Sequence, residues 1–252
     1  MRQIHAIITD LDRTLLHTDK SVSTYTIQVF QRCRNAGIHI FAATARPERS
    51  VRIYDRILHF DAMTIMNGAR ILLADRELRF MIPRTSGTAI LKRICSLPDN
   101  VLSVELEDGL FANVDIPEWK PVVYPGFPEL PGDGGLYKIL VSSPHEELYR
   151  QIGRMLTEDT YYTTAGNMLI QIMSRDATKW NGVQQMLSAC GISPADAVYF
   201  GDDMDDLESI RMCGIGAAVA SGAESVQQAA DVIVGSHDED GVARFIENTL
   251  LF

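Results

Sequence analysis

Ile4-His5-Ala6-Ile7-Ile8-Thr9-Asp10-Leu11-Asp12-Arg13-Thr14-Leu15 joins a short run rich in β-branched residues to two carboxylates one residue apart. The run suits a buried strand, because strands covered on both faces read as unbroken apolar stretches. Residues i and i+2 of an extended chain point the same way, so Asp10 and Asp12 share one side just past that strand. In an open α/β sheet, ligands bind at the carboxyl ends of strands. Two adjacent carboxylates are costly unless a cation lies between them or they share a proton. Taken alone, the pair reads equally well as a solvated turn with helix-capping Asp and Thr.

Outward from that stretch, strands and helices alternate. Ile27, Phe30 and Cys33 recur at helical spacing between about Ser23 and Ala36, and Gly37 stands where a C-cap glycine ends a helix. Ile38–Ala42 is a second apolar run, Pro47 suits the first turn of a helix reaching about Leu58, and Ala62–Met66 is a third strand. Such alternation implies parallel strands joined by right-handed crossovers. The C-terminal third repeats it. A helix over Thr178–Cys190 ends at Gly191, Ala197–Phe200 is a strand, and a helix follows an Asp-rich turn. Ile215–Val219, a helix near Ala223–Ala230, Val232–Val234 and a final helix to the end complete the series.

The middle of the chain differs. Residues 70–82 read as a hairpin turning near Asp75 and Arg76, followed by a helix near 86–96. Val101–Leu106 and Leu110–Val114 form a second hairpin around Glu107-Asp108-Gly109. Residues 117–135 hold five prolines and several glycines, the composition of an irregular loop. A strand at Leu136–Val141, a helix over 145–156 and strands near 160–165 and 168–173 follow. The expected fold is therefore a doubly wound α/β parallel-sheet core, residues 1–81 and 175–252, with an inserted α+β module over 82–174.

Composition narrows the class of partner. At 252 residues, with 46% apolar and 22% charged residues, the chain has the profile of a soluble globular protein with an ample core. Lys plus Arg number 23 and Asp plus Glu 33, a formal charge of −10. That balance argues against a nucleic-acid partner, which wants Lys and Arg clustered on one face. A small anion would have to be drawn in locally, by a metal or a few basic residues. Cys33, Cys95, Cys190 and Cys213 are scattered without metal-ligand spacing, which reads as buried thiols in a reducing compartment. No basic patch precedes an apolar stretch at the N-terminus and no run approaches membrane-spanning length, so a cytoplasmic protein without membrane association is expected.

Gly201-Asp202-Asp203-Met204-Asp205-Asp206 follows the strand at 197–200. An acidic first turn favoured by the helix dipole accounts for one or two of these acids. Four are hard to justify without a bound cation, and oxygen-only ligands at strand ends suit a hard ion such as Mg²⁺. Ala43-Thr44-Ala45-Arg46 ends the second strand with a hydroxyl and backbone N–H groups ahead of a helix, either a phosphate seat or a simple N-cap. Lys179 sits near a helix start, where the dipole disfavours a cation; it is a functional group or a solvated lysine. The six histidines show no ligand spacing, and Trp119 and Tyr124 in the Pro-rich loop either stack on a ring or pack the loop down.

Taken in order, DxDxT after the first strand, Thr at the second strand's end, a later Lys and the acidic cluster resemble the haloacid dehalogenase superfamily. Met66-Asn67-Gly68-Ala69, Lys179 followed by Gly182, and Ala218-Val219-Ala220-Ser221-Gly222-Ala223 are similar to its Cof-type (subclass IIB) branch, which carries a large C2-type cap. The resemblance spans the whole chain. It implies a phosphoric monoester hydrolase acting on a small phosphorylated metabolite, a sugar phosphate among the candidates. It also implies Asp10 as nucleophile, forming an aspartyl-phosphate, and Asp12 as acid and base. Mg²⁺ would be held by Asp10, the backbone carbonyl of Asp12, and Asp202, with Asp206 in support. Thr44, with Ala45 and Arg46, and Lys179 would grip the phosphoryl oxygens, with Asn67 and Gly68 beside them. The chain departs from the family pattern at Arg13 for Gly, Ala45 for Gly and Asp205 for Asn. If Asp205 faces the site, it either repels phosphate or tightens the cation. A phosphotransferase of similar architecture and a catalytically silent binding protein are the rival readings, and a monomer or weak homodimer is expected.

Overall fold

The computed structural model describes residues 4–165 and 169–251. Met168 and Phe252, which the expected strand and final helix reach, lie outside these residues. The chain divides into two compact units, Met1–Leu78 with Thr178–Phe252, and Arg79–Ala177. In chain order the first unit opens with β1 (Ala6–Thr9), α1 (Thr24–Asn35), β2 (His39–Ala43), α2 (Glu48–Leu58), β3 (Ala62–Ile65), β4 (Arg70–Leu72) and β5 (Glu77–Arg79). The second unit comprises α3 (Arg84–Ile94), β6 (Val101–Leu106), β7 (Gly109–Ala112), β8 (Val122–Val123), β9 (Leu136–Ser142), α4 (Glu146–Met155), β10 (Thr160–Ala165) and β11 (Leu169–Ser174). The chain then returns to the first unit with α5 (Lys179–Ala189), β12 (Ala197–Gly201) and α6 (Leu207–Met212). It ends with β13 (Ile215–Val219), α7 (Glu224–Ala229), β14 (Val232–Val234) and α8 (Gly241–Leu250).

The first unit is a doubly wound sheet in the order β14-β13-β12-β1-β2-β3-β4-β5. Its first six strands run parallel, and β4 pairs antiparallel with β3. From β1 the chain builds outward through β2 and β3, then returns to the other side with β12. The reversal falls between β1 and β12, and the carboxyl ends of strands flanking such a switch point form a ready crevice. Alternate strand residues face opposite layers. Ile7, Ile40, Val198, Phe200 and Val219 pack with Phe30 of α1, Val51 of α2 and Ile246 of α8. Helices α5, α6 and α7 contact the strands as well, α5 against β2 and β3, α6 against β12 and β13.

Local chemistry explains the boundaries. Ser23 caps α1 by accepting the Thr26 N–H at 2.9 Å, and Thr26, Val29, Phe30 and Cys33 form its buried stripe. Pro47 stands one place earlier than expected: with ψ 161° it is the extended residue before α2, whose first turn starts at Glu48. The second unit is a six-stranded sheet, β10-β11-β9-β6-β7-β8. Leu102, Val104, Ile139, Val141, Ile170 and Ile172 pack against Ile90 and Leu91 of α3 and Leu148 and Ile152 of α4. Strand β7 stops at Ala112 rather than Val114, because the Asn113 side chain takes over its pairing, accepting from Leu102 N–H (2.9 Å) and donating to the Asn100 carbonyl (2.7 Å). The Pro-rich loop holds the short strand β8, and Tyr124 packs edge-on against Phe111 and Phe127 of its own unit. Cys33 and Cys213 are buried as expected, but Cys95 and Cys190, each at the end of a helix, are exposed. Among the described residues, no helix is long and apolar enough to cross a membrane.

Candidate active site

Asp10 leaves β1 at the switch point, its N–H bonded to the Phe200 carbonyl of β12 at 2.9 Å. It is buried, as are Lys179, Asp202 and Asp206. Thr178 caps α5 by accepting the Asn181 N–H, and the next residue, Lys179, projects from the first turn into this group. Its Nζ reaches Asp206 Oδ1 at 2.7 Å, Asp10 Oδ1 at 2.9 Å and Asp205 Oδ1 at 3.3 Å. Three carboxylates thus use the three donors of one ammonium. Burial works against the charge on Lys179, but Asp10, Asp205 and Asp206 outweigh it and hold the amine well above its usual pKa.

The four acids of the Asp-rich turn divide the work. Asp203 caps the short turn over 204–206 by accepting the Met204 N–H at 2.7 Å. Asp206 folds back so that its Oδ2 accepts the Asp202 and Asp203 N–H groups at 3.1 and 3.2 Å. Gly201 makes this fold possible, since a Cβ there would lie 2.5 Å from the Asp206 side chain. Asp202 accepts the Thr14 hydroxyl at 3.1 Å, and its carbonyl receives the Ala223 N–H at 2.8 Å. Asp205 accepts the Asn67 amide at 2.5 Å.

One carboxylate oxygen each from Asp10, Asp202 and Asp206 lies within 4.8 Å of the others. Burial, reinforced by Asp206 and opposed by Lys179 and Thr14, raises the Asp202 carboxyl to about 7. Burial also raises Asp10 well above its usual range, with Lys179 opposing and the neighbouring acids adding to the shift. Fully ionised, the group would carry more negative charge than Lys179 balances, and its hard oxygen donors fit a divalent cation such as Mg²⁺.

Asp12 has a different setting. Arg46 forks onto it, Nε to Oδ2 at 2.5 Å and Nη2 to Oδ1 at 2.7 Å, and Lys20 adds Nζ to Oδ1 at 2.7 Å. Partial burial would raise this carboxyl, but the Arg46 and Lys20 donors and charges overcome it and bring it to about 2. Tyr54 braces the pair, its ring 5.2 Å below the Arg46 guanidinium and its hydroxyl donating to the Lys20 carbonyl at 3.1 Å. Thr44 is buried at the end of β2, its N–H on the Thr64 carbonyl and its hydroxyl accepting the Arg46 N–H at 3.2 Å, with Ala45 half-buried beside it. Met66 and Asn67 have positive φ, and the Asn67 N–H reaches the Thr44 carbonyl at 3.0 Å. Gly68 (φ +100°) packs on the Thr178 backbone so closely that a Cβ would lie 2.2 Å from its carbonyl oxygen.

The structure therefore gathers Asp10, Lys179, Asp202, Asp205, Asp206 and Asn67 through direct bonds. Thr44 joins through Asn67, and Arg46, with Asp12 in its fork, through Thr44. Arg13 occupies a left-handed φ of 59°, and its exposed guanidinium reaches the Ser221 carbonyl at 3.3 Å. Lys20, Tyr54 and Tyr199 were not singled out from sequence. Tyr199 alone carried a signal, a hydroxyl inside an otherwise apolar strand.

Residues 7–113 and 127–246 match the family model described as haloacid dehalogenase-like hydrolase. The chain is 25% identical, over 96% of each sequence, to the 5-amino-6-(5-phospho-D-ribitylamino)uracil phosphatase YitU of Bacillus subtilis. It is 24% identical, over 97% of this chain and 96% of the relative, to a phosphoglycolate phosphatase of Methanopyrus kandleri. A haloacid dehalogenase-like hydrolase of B. subtilis superimposes with a TM-score of 0.86 at 20% identity, covering 98% of this chain and all of that one.

Proposed function

Because this chain belongs to the haloacid dehalogenase-like hydrolases and is a phosphoric monoester hydrolase of that family, we propose that it hydrolyses a small phosphorylated metabolite in the cytoplasm with Mg²⁺. The observation that carries this reading is the Lys179 ammonium, bound to Asp10 within a buried group of carboxylates that fits a divalent cation. Phosphoryl transfer needs positioning and charge neutralisation above all, and both are built in here.

Lys179 engages Oδ1 of Asp10, which leaves Oδ2 to attack phosphorus. The Asp10 O–P bond forms as the ester P–O bond breaks, and Asp12 gives its proton to the departing oxygen. Asp12 then takes a proton from water as that water attacks phosphorus, releasing phosphate and restoring Asp10. Held by Arg46 and Lys20, Asp12 is a carboxylate with no proton to give. It donates only after leaving the Arg46 fork, so the arrangement described is a resting one. Thr44 and Ala45, ahead of α2, seat the phosphoryl oxygens with Lys179, and Asn67 and Gly68 line the same place. Mg²⁺, held by Asp10, the Asp12 carbonyl and Asp202 with Asp206 behind them, would neutralise charge on the phosphoryl group.

The test is phosphate release from a broad panel of phosphate esters with and without Mg²⁺, with Asp10→Asn as the blank. Release that needs Mg²⁺ and falls at least about 10³-fold in Asp10→Asn is expected. No release from any ester would return the chain to a binding role. In ¹⁸O-water the label should enter the released phosphate; transfer to a sugar hydroxyl instead would make the enzyme a phosphotransferase.

A further inference from the structure

Tyr199 lies in mid-strand on β12, in register with Ile8 of β1 and Gly216 of β13, and is fully buried. An apolar side chain would fill this position at less cost, because a buried hydroxyl is unfavourable unless it is bonded. The Tyr199 hydroxyl is bonded, donating to Asp206 Oδ1 at 2.5 Å. That same oxygen accepts Lys179 Nζ at 2.7 Å. The other oxygen, Oδ2, accepts the backbone N–H groups of Asp202 and Asp203. Four donors therefore surround a carboxylate that also stands within reach of a cation shared with Asp10 and Asp202.

Asp206 faces two competing uses. It can hold Lys179 against Asp10, or it can turn Oδ1 to the cation. We infer that Tyr199 is a positioning residue, whose hydroxyl commits Asp206 to Lys179 and keeps it from becoming a full cation ligand. Without the phenol, Oδ1 keeps a lone pair that no other bonded group takes up, and the cation is the strongest acceptor of it nearby. Asp206 then moves toward the metal, and Lys179 loses the shorter of its two bonds that bracket Asp10. The cation is held more tightly while the ammonium that steadies the nucleophile is held less well.

This inference rests on the Mg²⁺-dependent phosphatase reading, so the experiment measures both. Tyr199→Phe removes only the hydroxyl. Mg²⁺ binding to the protein is followed by calorimetry without substrate, and turnover with p-nitrophenyl phosphate. Expected are a Mg²⁺ Kd lowered at least about 3-fold, a kcat lowered about 10-fold and a KM within about 2-fold of wild type. A purely structural Tyr199 would lower thermal stability and weaken the cation or leave it unchanged, and either cation result overturns the inference. An unchanged kcat overturns it too. Where loss of stability obscures Tyr199→Phe, 4-aminophenylalanine at 199 keeps the ring and a donor. It should restore wild-type Mg²⁺ affinity and kcat, and failure to restore them counts against the role. A wild type that neither binds Mg²⁺ nor turns over overturns the phosphatase reading and this one with it.

Discussion

Asp205 sits where one more negative charge is least welcome, sharing Lys179 with Asp10 and Asp206 and receiving the Asn67 amide. Burial raises its carboxyl above the usual range, with Lys179 opposing. An asparagine there keeps the shape and removes the charge. Asp205→Asn should therefore preserve or raise kcat, measured on the same ester panel; a large loss would show that the carboxylate itself is needed. Arg13 is another departure from the family pattern. A left-handed φ costs a non-glycine residue roughly 1–2 kcal/mol, which explains why glycine suits that place. The Asp10–Asp12 pair, the acidic turn and Lys179 were legible in the sequence because each lies at a strand end or helix start that periodicity locates. The Arg46–Asp12–Lys20 cluster was not, since no spacing rule says that side chains from two separate loops will meet.

At the scale of elements, one residue ties the start of α1 to the start of α8. Asp240, just before α8, accepts the hydroxyls of Ser23 (2.6 Å) and Thr26 (2.9 Å) from the start of α1, and contacts His17 Nε2 at 3.1 Å. Burial alone would raise its carboxyl, but the Ser23, His17 and Thr26 donors outweigh burial and hold it below the ordinary range. A depressed carboxyl contributes stability above its unfolded pKa of about 4, and that stability is lost as pH falls through the folded value. Asp240→Asn, which tolerates the φ of 56° at this site, should lower the unfolding free energy by about 1–2 kcal/mol at pH 7. Urea titrations should show the gap between variant and wild type narrowing as pH falls below about 4; a gap that does not change with pH would assign the loss to packing. Strand positions were the most legible elements, β13 and β14 being found at their observed limits, because short apolar runs set between helical stretches read as buried strands. Edges were less so: Pro47 sets the start of α2 by its backbone angle and Asn113 the end of β7 by side-chain pairing, which apolar spacing does not encode.

At the scale of the molecule, Arg79–Ala177 has a sheet, two helices and a core of its own. The excised segment is expected to unfold in one cooperative thermal transition by circular dichroism; a broad, featureless melt would show that it depends on the rest of the chain. The order of synthesis follows from the sheet. β1, which carries Asp10, has β2 on one side almost as soon as it is made, but its other neighbour, β12, is translated only after the entire insertion. During that interval the strand that ends in the proposed nucleophile presents an open edge, a template for misplaced pairing. The inserted unit leaves the ribosome complete while the eight-stranded sheet is still waiting for its second half. Closure of that edge by β12 is the same event that brings Asp202 and Asp206 to Asp10, so the chain acquires its chemistry and loses its vulnerability in one step.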